Sequence, residues 1–127
     1  MNINQFIQEY RVVSNGWSLR PISKHGLKST FPYITSCLTP HVMCQDGFTM
    51  SVQAGPSLYS NPKDVADSYE SVEVGFPSEY EPLLSSHGYE DQPNCGVFAF
   101  VPCSLVDEII KKHGGIDESQ INYWGEV

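Results

Sequence analysis

No stretch of this 127-residue chain approaches the ~20 consecutive apolar residues that a membrane-spanning helix needs. The opening residues, MNINQFIQEYR, lack the basic segment and apolar run of a secretory signal, so the expected setting is the cytoplasm. The four cysteines, Cys37, Cys44, Cys95 and Cys103, contain no C-x-x-C pair, and in a reducing compartment they are expected as free, buried thiols. No glycine-rich phosphate loop precedes a helix. His113-Gly114-Gly115 follows one and would present carbonyls, not the amides an anion needs. No nucleophile elbow or other catalytic signature surrounds a serine or cysteine. There are also few bases, seven Lys and Arg against fifteen Asp and Glu, giving a net charge of −8.

The distribution of charge is uneven. Residues 1–63 hold two acids and five bases, whereas residues 64–127 hold thirteen acids and two bases. A strongly acidic half repels nucleic acid and attracts basic partners, including proteins that themselves bind nucleic acid. Direct nucleic-acid binding is not expected. The bases between 11 and 28, with Trp17 and His25, are too few and lack clustered aromatics.

The length suits a single domain over 1–127, with a helix and arm in 1–30 and an α+β core in 31–127. Ile3, Phe6, Ile7 and Tyr10 recur at helical spacing and predict a short helix over 3–10, capped by Asn2 or Asn4 and extended by Val12 and Val13. Residues 14–30 read as a loop anchored by Trp17. Strands are predicted over 33–38, 42–44, 48–54 and 69–76, with Asp46-Gly47 as a hairpin turn. Residues 64–68 predict one helical turn, and Tyr80, Leu83 and Leu84 another. Residues 95–101, CGVFAFV, are apolar on both faces and predict a central strand. The 102–113 helix has Pro102 at its first position and Leu105, Val106, Ile109 and Ile110 as its stripe. Lys111, Lys112 and His113 lie in its last turn, and Gly114-Gly115 ends it. The tail, INYWGEV, would add an edge strand or pack Trp124. The expected architecture is an antiparallel sheet of about four to five strands packed against the 102–113 helix.

Cys37, His41 and Cys44 give C-x3-H-x2-C, and Cys95 or Cys103 could complete a tetrahedral zinc site. The spacing matches no zinc knuckle, so His41, Cys44 and Cys103 stand as metal candidates only, and no cofactor is expected. Glu73 is the best acid–base candidate, because Ser51 and Gln53 can share its sheet face. The strand over 48–54 poses a further question. Its outward positions are Thr49, Ser51 and Gln53, without charge. A neutral face can lie under a partner, or under the chain's own N-terminal arm, without desolvating charge. With the acidic loops as a steering rim, the candidate partner-binding residues are Ser51, Gln53, Tyr59, Glu70, Glu73, Glu79, Tyr80, Glu81, Glu90 and Asp91.

Three blocks, DGFTMSVQAGPSLYSNP (46–62), YESVEVGFPSE (69–79) and VFAFVPCSLVDEIIKKHGGI (97–116), resemble a family of small, mostly uncharacterised proteins of tailed bacteriophages and prophages. The resemblance covers about residues 38–116. It implies an accessory protein acting in the host bacterial cytoplasm by binding a host protein. Inhibitors of host defence, anti-CRISPR proteins among them, are similar in size and acidity. The expected function is inhibition of a defence system through a basic, nucleic-acid-binding surface of a CRISPR effector complex. The alternatives are a small Cys/His metalloprotein or enzyme, and a phage virion or assembly protein.

Overall fold

The computed structural model describes residues 1–15, 34–85 and 97–121. The elements run α1 (Ile3–Tyr10), β1 (Val12–Asn15), β2 (Ile34–Leu38), β3 (Val42–Met43), β4 (Thr49–Gln53), β5 (Ser71–Gly75), α2 (Pro82–Ser85), β6 (Val97–Pro102), α3 (Cys103–Lys112) and a 3-10 turn (Glu118–Gln120). β3-β4-β5-β6 form an antiparallel meander, and β1-β2 form a separate antiparallel pair. The fold is α+β, as the patterning predicts. No described helix is long and apolar enough to cross a membrane.

α1 begins where expected. The Asn2 side chain accepts from the Gln5 amide and the Gln5 side chain accepts from the Asn2 amide, a reciprocal cap of two orphan donors. It ends earlier than expected. Arg11 is already extended, and Val12 and Val13 pair with Leu38 and Cys37 in β1 instead of prolonging the helix. Their β-branched side chains fit a pleated ladder better than another helical turn.

α3 starts at Cys103, one residue later than predicted, with Pro102 still the last residue of β6. At its far end Gly114 donates to Lys111 O and Gly115 to Ile110 O, both glycines with positive φ, the paired bonds of a Schellman cap. One face of the meander buries Met50, Val52, Val72, Val74, Phe98 and Val101. Ile3, Phe6 and Ile7 of α1 and Val106, Ile109 and Ile110 of α3 complete this core. The two helices are tied by the Ile3 amide donating to Asp107 Oδ1 at 2.7 Å.

A smaller cluster, Val13, Cys37 and Val65, lies beside fully buried Arg11. Arg11 therefore offers nothing to phosphate. Its guanidinium donates to Ala66 O at 2.8 Å and reaches the Tyr69 hydroxyl at 3.4 Å, pinning the 64–69 loop. That loop makes no helical turn, whereas the turn at Leu83 and Leu84 forms as α2.

β6 departs most from its pattern. Among the described residues it is the last strand of the meander, not a central one. Val72 pairs with Val101 and Val74 with Phe98, so two residues, Ala99 and Phe100, oppose Glu73 alone. This β-bulge reverses the alternation. Phe98 and Val101 point into the core, while Phe100, at φ 54°, points out and is 47 % exposed. An apolar run on both faces here marks a bulge that delivers a ring to the surface.

Candidate functional site

Register places Gln53 opposite Glu73 and Ser51 opposite Gly75, so the three side chains proposed to share a face do share one. The neutral strand face is covered by the chain itself. Gln53 Oε1 accepts from the Thr39 amide at 2.9 Å, and its Nε2 donates to Thr39 O at 2.7 Å and to Ser51 Oγ at 3.0 Å. The side chain thus mimics a strand neighbour for residue 39, and Ser51 is buried beneath it. Ser51 and Gln53 are internal contacts, not open partner contacts. The segment against Gln53 follows β2. Of the 14–30 arm expected there, Ser14 and Asn15 instead pair with β2, and residues 16–30 lie outside the described residues, as do Glu90, Asp91, Cys95 and residues 122–127 of the tail.

A second loop crosses the same face further along. The Tyr59 amide donates to Glu73 Oε1 at 3.2 Å, and Tyr59 O accepts from the Phe100 amide at 3.2 Å. These two bonds set the Tyr59 ring edge-on to Phe100, with centroids 5.9 Å apart. Tyr59 is 51 % exposed. Lys63 Nζ lies 5.3 Å from the Tyr59 centroid and 6.0 Å from that of Phe100. Glu70 is exposed at the head of β5, its carboxylate held by Asn61 Nδ2 at 3.1 Å. The result is an exposed aromatic pair with a fixed carboxylate beside it. Glu79 and Tyr80 are also exposed, as is Phe76, which like Phe100 has positive φ (51°). Sequence reasoning identifies Tyr59, Glu70 and Glu73 but misses Phe100. The signal was the second phenylalanine of FAF, on an otherwise uninterrupted apolar strand.

Glu81 is not a surface residue. It is 2 % exposed and lies in a charge cluster the sequence did not disclose. Its Oε2 accepts from Lys112 Nζ at 2.7 Å and from the Leu83 amide at 3.1 Å, and its Oε1 meets His113 Nε2 at 2.7 Å. His113 Nδ1 meets Asp46 Oδ2 at 2.6 Å, and its ring stacks on Phe48 at 4.0 Å. A carboxylate at each ring nitrogen favours the imidazolium, with both nitrogens donating. Burial alone would pull the His113 pKa down, but the bonds to Glu81 and Asp46 outweigh it and raise it. Burial likewise works to raise Glu81, yet Lys112, His113 and the Leu83 amide hold it below the usual value. The Phe48 amide and then His113 lower Asp46. The cluster joins the β3-β4 hairpin, the turn before α2 and the end of α3, and it occupies both ring nitrogens in doing so.

The metal candidates are not assembled. His41 is exposed, Cys44 bridges to Ile116, and Cys103 opens α3. Among the described residues no three His, Cys, Asp or Glu side chains are placed to hold an ion. The Cys44 thiol is pushed up to about 11 by burial and then by Asp46, and Cys103 to about 11 by burial and then by Asp107. Both stay protonated at neutral pH and are poor nucleophiles.

Comparison with protein-family models, with curated proteins and with solved structures finds no match to this chain.

Proposed function

We propose that this chain is a protein-binding inhibitor that docks on a basic surface of its target through the aromatic pair Tyr59 and Phe100 and the carboxylates around them. In the phage setting that the resemblance implies, the target is a nucleic-acid-binding surface of a host defence complex such as a CRISPR effector. The observation that carries this reading is the exposed Tyr59–Phe100 contact, held by backbone bonds from both residues. Aromatic side chains are enriched at interface centres, and a rigid exposed pair loses little conformational freedom on docking. The −11 charge of residues 64–127 supplies the long-range attraction.

The test is an affinity pull-down of tagged protein from lysate of a host with an active CRISPR system, followed by binding kinetics with the captured subunit. A stoichiometric effector subunit released by salt is the expected result. Reversing Glu70 and Glu79 to lysine is expected to slow association several-fold at low salt, the behaviour of rim charges. Association that ignores both the reversals and the salt concentration would refute electrostatic docking.

A further inference from the structure

We propose that Tyr59, Phe100 and Glu73 form an anchor for an arginine side chain of a partner protein, a deepening of the docking reading above. Lys63 already places its ammonium over both rings, so the pair attracts a cation within this chain. That ammonium sits on a long, exposed side chain and is free to leave. A guanidinium is the better occupant. It is planar, less strongly hydrated, stacks on rings and presents a fork of donors to a carboxylate.

Glu73 is arranged to meet that fork. Its Oε1 is fixed by the Tyr59 amide, and among the described residues nothing bonds Oε2. Phe100 and Glu73 are each one hydrogen bond from the Tyr59 backbone, so ring and carboxylate are held by one residue. The bulge opposite Glu73 turns the Phe100 ring outward at a backbone conformation a phenylalanine seldom adopts. A strained residue that exposes an apolar ring adds little to the core, and such strain clusters where binding uses it. Lys63 then acts as a placeholder that shields the rings until an arginine displaces it.

The experiment is an amide NMR titration with the blocked peptides Ac-GGRGG-NH2 and Ac-GGKGG-NH2. The arginine peptide is expected to shift the Tyr59 and Phe100 amides saturably, several-fold more tightly than the lysine peptide. Lys63→Ala should tighten arginine binding about two- to five-fold, the size of one exposed cation–π contact removed from competition. Phe100→Asn should abolish it while keeping the fold, because asparagine tolerates positive φ. Equal binding of both peptides, or wild-type binding by Phe100→Asn, would overturn the anchor. The two readings fail separately. A captured partner that Phe100→Asn releases, with the arginine peptide bound no better than the lysine peptide, sinks the anchor and leaves the inhibitor standing. Arginine-selective binding with no captured partner does the reverse.

Discussion

Replacing Glu81 by glutamine tests whether the buried cluster holds three elements together through charge. Among the described residues the two carboxylate oxygens of Glu81 face only donors: Lys112 Nζ and the Leu83 amide at one, His113 Nε2 at the other. Glutamine has one oxygen. Its amide nitrogen must therefore face either the Lys112 and Leu83 donors or the His113 N–H. Losing one buried charge-assisted bond costs ~1.5–3 kcal/mol. The Lys112 share is discounted because that side chain is 46 % exposed and screened by solvent. A loss of about 2 kcal/mol is expected, or roughly 6–12 °C in Tm for a chain of this size.

The pH dependence sharpens the test. The His113 pKa is raised in the folded protein, so its contribution is full below its ordinary 6.5 and fades as pH rises through the raised value. Asp46 and Glu81 are lowered, so theirs are present above the ordinary 3.8 and 4.5 and are lost as pH falls through the lowered values. Wild-type stability from this cluster is therefore greatest between pH 4.5 and 6.5. Urea unfolding from pH 4 to 9, with NMR titration of the His113 ring, measures both quantities. Glu81→Gln should lower the His113 pKa and flatten the decline in stability above pH 6.5. Superimposable stability–pH profiles, or His113 titrating near its ordinary value in both proteins, would refute the charge-cluster account.

Two further outcomes follow from packing and burial. Gly55→Ala should cost about 2–4 kcal/mol in urea unfolding, from overpacking plus backbone strain. A Cβ there would sit 2.8 Å from Cys37 Cβ at φ +149°, and a loss under about 0.5 kcal/mol, the scale of a neutral surface change, would contradict the packing of the 55–60 loop on β2. In native protein at pH 8, Cys44 and Cys103 should resist iodoacetamide and become reactive only on unfolding, as read by peptide mass mapping. Rapid native labelling of either would contradict the burial and the pKa of about 11.

Local patterns in the sequence determined the elements that depend on near neighbours. The spacing of Ile3, Phe6, Ile7 and Tyr10 with Asn2 ahead gives α1 and its cap, because periodicity and capping act within one or two turns. The stripe Leu105 to Ile110 and the following glycines give α3 and its Schellman end. Alternation at 48–54 and 69–76 gives β4 and β5, and hence the α+β class.

Tertiary structure alone decided which apolar face of β6 turns inward. That depends on a bulge in register with β5, and register is a relation between strands that no single strand encodes. It also decided that Gln53 serves the backbone of residue 39 and that Arg11 lies inside. Glu81 read as one more acid in an acidic loop. It became a buried anchor because folding brings residues 46, 81, 112 and 113 to one point, and charge in a sequence carries no information on the donors it will meet.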